Sequence, residues 1–324
     1  MEKIENINIR PASFSDFIGQ EKIKKMLEVT IFSSAKRKES LEHVLLVGQA
    51  GLGKTTLANI IANELGGKII ATSAPSLEKN GDLAGLLSLL NPGDVLFIDE
   101  IHRLNKSIEE LLYSAIEDYK VSITVNNNGV SKPLIMKLPP FTLIGATTKM
   151  GSLSHSFYDR FTLVLNFEYY SQQEICLILK RTARIFKMEI DEESCKLIAQ
   201  RSRETPRVAN KILKKIRDYY LYKGLKKINK NDTLSALDLF SIDSLGLEEL
   251  DRKYLLTLIS EYKGGPVGVS TLASRLNQEE TNLIEIVEPF LLRQRLIIRG
   301  PRGRLATTLA YEHFGLKNPD EKGR

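Results

Sequence analysis

The sequence predicts three domains in order: an α/β domain with a parallel sheet, a small all-α domain and a winged-helix domain. In the first half of the chain, short apolar runs alternate with amphipathic helices, a pattern typical of a parallel sheet with helices on both faces. After about residue 170 the strand-like runs stop and only amphipathic helices continue. A helix–turn–helix pattern followed by a β-like segment ends the sequence. We therefore expect domains at 1–170, 171–243 and 244–324.

The composition is that of an ordinary folded protein. The chain has 324 residues, of which 42% are apolar and 27% charged, with a formal net charge of +6. This balance excludes a disordered or fibrous chain. No apolar run approaches the roughly 18 residues of a membrane span, and the first residues lack a signal-peptide core. Two cysteines exclude a disulfide scaffold or a four-thiolate zinc site. We expect a cytoplasmic protein without membrane association.

The elements of the first domain follow from hydrophobic periodicity and turn residues. Asn105 is a suitable cap for the helix that follows it. An alternating segment with an Asn-rich turn predicts a hairpin insertion at about 121–138. The expected strands are 43–48, 68–73, 95–100 and 141–148, and the expected helices are 21–38, 55–65 and 105–118.

A glycine-rich turn between the first strand and its helix has the spacing of a phosphate-binding loop. Gly48 to Thr55 fits GxxxxGK[ST] at every fixed position. Backbone N–H groups of such a loop surround a phosphate, and the helix N-terminus adds a favourable dipole. Lys54 could reach the β and γ phosphates, and the Thr55 hydroxyl could be a ligand of Mg²⁺. The alternative is a chance match in a glycine turn, which the flanking strand and helix disfavour.

An apolar strand ends in two carboxylates, Asp99 and Glu100. The carboxyl edge of a parallel sheet is where open α/β folds bind ligands. Asp99 suits Mg²⁺ coordination, directly or through water, and Glu100 suits activation of a water as a general base. This pair favours ATP hydrolysis over phosphorylation of a small molecule. A helix-capping acidic pair is the alternative.

The last domain carries a concentration of arginines at its predicted wing. Helices at 269–276 and 280–294 precede a β-like segment at 295–308. Five arginines and no acidic residue lie between 293 and 304, where guanidinium groups can reach DNA phosphates. A solvated charged face is the alternative. The candidate DNA contacts are Arg299, Arg302 and Arg304.

The order of these motifs resembles an AAA+ ATPase, and several blocks resemble one family of these enzymes. The similarity is to the RuvB family, the bacterial Holliday junction branch migration motors, and it extends over nearly the whole chain. The blocks include IRPASFSDFIGQEKIK (9–24), GDVLFIDEIHRLN (93–105), ETPRVANKIL (204–213), LGLEELDRKYL (245–255) and RGPRGRLATT (299–308).

The resemblance implies roles at the matching positions. Thr148 would be the polar sensor beside the acidic strand, and Arg160 would be the arginine finger for the neighbouring subunit's ATP. Arg207 would be a second sensor for the γ-phosphate in its own subunit, and its place at a helix start supports this independently. A surface ion pair is the alternative for either arginine. The other implied nucleotide contacts are Ile9, Arg10, Gly51, Gly53, Thr56, Glu117, Asp118, Tyr119 and Tyr170.

The resemblance also implies cofactors, partners and function. ATP and Mg²⁺ would drive a homo-hexameric ring along double-stranded DNA at four-way junctions, in recombination and DNA repair. The 121–138 hairpin would dock the junction-binding protein RuvA through Ile123, Val125, Leu134 and Ile135, and the resolvase RuvC would join the complex. The alternative is that these apolar residues only pair with one another within the hairpin. The alternative functions are an ATP-switched winged-helix regulator and a generic AAA+ ring loader.

Overall fold

A computed structural model describes residues 8–127 and 130–319, and at 123–127 and 130–133 it describes only the backbone path. The chain forms two compact units. Unit 1 comprises the residues up to 187 together with 204–211, and unit 2 comprises 188–203 together with those from 212 onward.

Unit 1 is built on a five-stranded parallel sheet with the spatial order β2-β3-β6-β1-β7. The central strands are apolar and buried, whereas β2 at one edge is half-exposed. The predicted four strands are present, and β7 at the other edge is a fifth that the sequence analysis missed. The strands are β1 (Val44–Val47), β2 (Ile69–Ser73), β3 (Val95–Asp99), β6 (Thr142–Thr147) and β7 (Leu163–Asn166).

Helices alternate with the strands of this sheet along the chain. The Asn105 side chain accepts a hydrogen bond from the Ile108 N–H at 3.0 Å, which confirms the predicted cap of α4. The core lies between sheet and helices and contains Leu45, Leu96, Ile98 and Leu112. The helices are α1 (Glu21–Arg37), α2 (Lys54–Leu65), α3 (Asn80–Leu87), α4 (Lys106–Glu117), α5 (His155–Tyr158) and α6 (Gln172–Ile185).

The predicted hairpin is an antiparallel two-stranded ribbon made by β4 (Lys120–Asn127) and β5 (Val130–Lys137). Its described side chains include Leu134 and Ile135, which are 53% and 67% exposed. Because consecutive strand residues face opposite sides of a ribbon, apolar surface is exposed on both faces at this point. The side chains of Ile123 and Val125 lie outside those that the structure describes.

Unit 2 contains the remaining helices and a small amount of β structure. The region predicted to be all-α also contains a short parallel pair of strands, β8 and β9, in which residues 189–190 pair with 227–228. The elements that precede the winged helix are β8 (Glu189–Ile190), α7 (Glu192–Arg201), α8 (Pro206–Lys223), which begins in unit 1, β9 (Lys227–Ile228) and α9 (Lys230–Leu239).

The winged helix has its own core, which includes Tyr254, Leu272, Leu283 and Leu291. The predicted helix at 280–294 is interrupted by a wider turn at Leu283–Val287. The antiparallel strands β10 and β11 form the predicted wing around residues 300–303. The elements are α10 (Glu249–Leu256), α11 (Val269–Leu276), α12 (Glu280–Asn282), α13 (Glu288–Arg293), β10 (Ile297–Gly300), β11 (Gly303–Ala306) and α14 (Thr308–His313).

Candidate functional site

The glycine-rich loop lies between the carboxyl end of β1 and the first turn of α2. Gly51 and Gly53 have φ angles of 88° and 105°, which favour glycine. A Cβ on Gly51 would also lie 2.9 Å from the Cβ of Arg207. The loop backbone therefore depends on glycine both for its conformation and for the close approach of Arg207.

Lys54 lies within this loop. Its ammonium group donates hydrogen bonds to the carbonyls of Gly48 at 2.7 Å and Gln49 at 3.0 Å. Burial lowers the pKa of Lys54 to about 8; the negative charge of Asp99 opposes this decrease and the positive charge of Arg207 adds to it. The amine thus sits in a partly dehydrated environment, where an added phosphate would strengthen its charged form.

Asp99 and Glu100 lie at the carboxyl edge of the sheet, as predicted. Asp99 ends β3, and its carboxylate accepts the N–H of Glu100 at 2.9 Å. Glu100 has a φ of 51°, a conformation that is uncommon outside glycine and is often found at functional sites. The Arg103 guanidinium forms an ion pair with the Glu100 carboxylate at 2.9 Å.

The end of β6 carries two threonines with different surroundings. Thr147 is fully buried, and its hydroxyl lies 3.0 Å from Nδ1 of His102. Thr148 follows the strand and is partly exposed. Of the two, Thr148 is the one whose side chain is not buried, which supports the choice of Thr148 as the candidate sensor.

Of the implied nucleotide contacts Ile9, Arg10 and Tyr170, the structure shows Tyr170 beside the loop. Tyr170 is buried, and its hydroxyl donates to the carbonyl of Leu52 at 3.0 Å. Burial raises the pKa of Tyr170 well above its usual value, so it remains a neutral donor. The carbonyl of Ile9 accepts a hydrogen bond from Arg181 at 2.9 Å, whereas the Arg10 side chain is exposed.

The second-sensor candidate is brought to the loop within unit 1. The Arg207 N–H donates to the carbonyl of Gly51 at 3.3 Å. Its guanidinium is close enough to Lys54 to lower the pKa of that amine. The structure therefore brings together, around one sheet edge, Gly51, Gly53, Lys54, Thr55, Thr56, Asp99, Glu100, Thr148, Tyr170 and Arg207.

A second group of predicted residues lies at the amino-terminal ends of the strands, opposite the loop. Tyr119 contacts Phe141, which directly precedes β6, with ring centroids 6.0 Å apart. Glu117 pairs with Arg160 at 3.1 Å, and the Arg160 guanidinium lies 4.2 Å from the centre of the Tyr113 ring. The implied nucleotide contacts Glu117, Asp118 and Tyr119 lie at the C-terminal end of α4, away from the loop of their own chain, and their contact with a nucleotide stays a prediction.

The wing arginines do not share one environment. Glu288 is fully buried, and its carboxylate accepts hydrogen bonds from Arg304 at 2.9 Å and from Tyr254 at 3.0 Å. Arg299 also pairs with this carboxylate at 2.7 Å and remains 45% exposed. Arg304 is only 17% exposed and pairs with Glu288, so it offers less surface to a phosphate than Arg299, and its role as a DNA contact stays a prediction. Arg302 is exposed at the tip of the wing.

Comparison with known proteins assigns all three regions. The model of the Holliday junction DNA helicase RuvB P-loop domain matches residues 9–167, that of the RuvB AAA lid domain matches 170–243, and that of the RuvB C-terminal winged-helix domain matches 244–315. The chain belongs to the RuvB family. The fold class and the family resemblance predicted from the sequence are confirmed.

Individual RuvB proteins are similar over nearly their full length. The "Holliday junction branch migration complex subunit RuvB" of Limosilactobacillus reuteri is 49% identical over 316 residues, which cover 98% of this chain and 94% of the relative. The protein of the same name from Ligilactobacillus salivarius is 48% identical with the same coverage. The solved structure of the Thermotoga maritima RuvB Holliday junction branch migration motor aligns with a TM-score of 0.87 and 45% identity, covering 96% of this chain and 99% of that one.

Membership in the RuvB family implies nucleotide binding by an AAA+ ATPase domain. Across residues 8–127 and 130–319, no helix is long and apolar enough to cross a bilayer. The same residues contain no group of three His, Cys, Asp or Glu side chains that could hold a metal ion. Both cysteines are buried, and neither forms a disulfide.

The sequence analysis missed several residues around the site. Phe17 is buried, and its ring lies 3.1 Å from where a Cβ on Gly53 would be, so it supports the loop. The side chains of His102 and Arg103 contact Thr147 and Glu100, respectively. For His102 and Arg103, the only signal in the sequence is their position shortly after the acidic pair. This position does not reveal which way each side chain points.

Proposed function

We propose that this chain hydrolyses ATP to drive branch migration of Holliday junction DNA as a homo-hexameric ring. The observation that carries the proposal is the convergence of Lys54, the Asp99–Glu100 pair and Arg207 at one sheet edge, in a chain that also has a RuvB winged helix. A non-hydrolysing ATP switch has less need for Glu100. The proposal keeps domain boundaries near 170 and 243 and a cytoplasmic location, where chromosomal DNA is found.

Each residue of the loop site has a defined task in this chemistry. Loop N–H groups and Lys54 bind the β and γ phosphates, and Arg207 binds the γ-phosphate bidentately. Glu100 accepts the proton of the attacking water, and Thr148 contacts the γ-phosphate. The Thr55 hydroxyl and the Asp99 carboxylate are hard oxygen ligands suited to Mg²⁺, which neutralises phosphate charge when bound.

Arg160 and the Glu117–Tyr119 segment serve a different nucleotide. They lie at the ends of the strands opposite the loop, which supports a role at the ATP of a neighbouring subunit. Arg160 would then supply positive charge to the transition state across the interface, as an arginine finger does. The ion pair with Glu117 holds its guanidinium in the isolated chain.

DNA binding is assigned to the wing, with Arg302 as its principal phosphate contact. Arg299 contributes its exposed face while it remains paired with Glu288. Translocation must ignore base sequence, so contacts to phosphates are the expected kind. RuvA is the proposed partner of the hairpin through Leu134 and Ile135, and RuvC belongs to the resolving complex.

Dissociation of a synthetic four-way DNA junction tests this proposal. The purified chain is assayed with ATP and Mg²⁺, with and without RuvA, beside a Glu100→Gln variant. We expect ATP-dependent branch movement that the variant loses. DNA binding and ATP turnover without junction movement, even with RuvA, would favour a DNA-binding regulator or a ring loader instead.

A further inference from the structure

The turn that follows Glu100 packs directly against the strand that leads to Thr148. This turn, Ile101–Arg103, places the buried Ile101 side chain on β6. A Cβ on Gly145 would lie 2.7 Å from Cδ1 of Ile101. A side chain at this position of β6 would displace Ile101, so the glycine lets the turn pack closely against the strand.

A side-chain hydrogen bond joins the same two segments nearer to the candidate site. The Thr147 hydroxyl and Nδ1 of His102 are 3.0 Å apart, and the hydroxyl also accepts the N–H of Lys149 at 2.9 Å. Thr147 is fully buried, so water does not compete for these bonds. One hydroxyl thus connects the turn after Glu100 with the backbone on the far side of Thr148.

The proposed chemistry uses Glu100 and Thr148 but assigns nothing to His102 or Thr147. Glu100 and Thr148 follow different strands, and in the proposed chemistry both act at the same γ-phosphate. Catalytic groups need placement within about 0.5 Å, and a misplacement of 1 Å can cost roughly 100-fold in rate. A direct link between the two strand ends supplies such placement.

We propose that His102 and Thr147 are positioning residues, which keep Thr148 and Glu100 in a fixed relation at the γ-phosphate. The proposal rests on the function proposed above. Neither residue is required to touch the nucleotide. Their loss therefore lowers the rate of hydrolysis much more than it weakens ATP binding.

The decisive variant is Thr147→Val, which removes the hydroxyl and keeps the shape. Its matched control is Thr142→Val, because Thr142 is also buried in β6 and its hydroxyl donates to the carbonyl of Leu41 at 2.8 Å, at the other end of the strand. We expect kcat of Thr147→Val to fall about 10- to 100-fold with KM for ATP changed less than about threefold. Thr142→Val keeps kcat within about twofold of the parent.

Conservative replacements separate positioning from general damage. Thr147→Ser retains the hydroxyl and recovers most of the activity that Thr147→Val loses. His102→Asn keeps a hydrogen-bonding group near the Nδ1 position and retains more activity than His102→Ala. Equal kcat values for His102→Asn and His102→Ala, or for Thr147→Val and Thr142→Val, would overturn the inference even if one variant folds poorly.

A Glu100→Gln variant in the same assay distinguishes failure of this inference from failure of the proposed function. Normal hydrolysis by Glu100→Gln would overturn both. Loss of hydrolysis in Glu100→Gln, together with unchanged kcat in Thr147→Val and His102→Ala, would overturn the positioning role alone.

Discussion

At the scale of single residues, the environment of Lys54 links ATP binding to protonation. Burial lowers the pKa of Lys54 to about 8 in the nucleotide-free chain. Phosphate oxygens favour the ammonium form, so the pKa of Lys54 rises when ATP binds. Between these two pKa values, the free chain carries a neutral amine and the complex carries an ammonium group.

We predict that ATP binding takes up most of one proton at pH 9 and much less at pH 7.5. Calorimetric titration in two buffers of different ionisation enthalpy measures this uptake. Lys54→Arg is the control, since a guanidinium stays protonated throughout this range. The same uptake at pH 9 in Lys54→Arg would assign the proton to another group.

The wing shows that neighbouring arginines can have different tasks. Burial alone would raise the pKa of Glu288, but hydrogen bonds from Arg304, Arg299 and Tyr254 outweigh it and lower that pKa. Glu288 is therefore an ionised, buried anchor. Arg304 neutralises this anchor and fixes the wing, whereas Arg302 remains free to meet phosphates.

We predict separate defects for two alanine variants. Arg302→Ala lowers the magnitude of the slope of log K against log salt by about 0.9 for each phosphate that is no longer neutralised, with unchanged stability. Arg304→Ala instead lowers the free energy of unfolding by roughly 2–3 kcal/mol, because it leaves a buried carboxylate less well paired. Duplex binding titrations and thermal melts check this. Unchanged stability of Arg304→Ala would contradict the anchor.

At the scale of elements, the hairpin is the clearest surface for a partner. A two-stranded ribbon has no interior, so apolar residues on both faces stay exposed unless another protein covers them. Leu134 and Ile135 are such residues. If apolar side chains only packed against each other within the hairpin, both faces would not have to expose one.

We predict that Leu134→Ser combined with Ile135→Ser weakens RuvA binding by tenfold or more, since apolar anchors dominate interfaces. ATP turnover without RuvA stays at the parent level. Binding is measured by titration with labelled RuvA. Leu239→Ser is the matched control, because Leu239 is 64% exposed on α9, an element of unit 2 that is not part of the hairpin. Equal weakening in this control would remove the hairpin from the interface.

At the scale of the whole molecule, the proposed active site draws its residues from the two opposite ends of the sheet strands. The loop edge carries Lys54 and Glu100, and the opposite edge carries Arg160. A protomer would therefore be incomplete alone, and a complete site would need two protomers. This requirement gives a ring motor its communication between subunits.

We predict that the Arg160→Ala substitution lowers the rate of ATP hydrolysis about 10³-fold or more and leaves ATP binding largely unchanged. Mixing Arg160→Ala with Glu100→Gln restores part of the activity, because a protomer with Glu100 then meets a neighbour with Arg160. Steady-state ATPase assays of each variant and of the mixture measure this. Normal turnover by Arg160→Ala, or a mixture no better than its parts, would place the site within one protomer.

Local patterns made the fold and the core of the site predictable. The spacing from Gly48 to Thr55, the apolar strand before Asp99 and the wing between β10 and β11 are all determined by nearby residues. Such patterns depend on backbone geometry and hydrophobic periodicity, which the sequence carries directly. β7 was missed because Leu163–Asn166 is a short edge strand with little periodic signal.

The sequence by itself determined the fold class, the family and the residues of the phosphate-binding loop. Only the tertiary structure decided which edge of the sheet each distant residue reaches. It placed Glu117 beside Arg160, turned Arg304 inward to Glu288 and joined His102 to Thr147. These contacts join residues far apart in the chain, and side-chain direction depends on the packing of whole elements. Charge and spacing along the sequence do not contain that information.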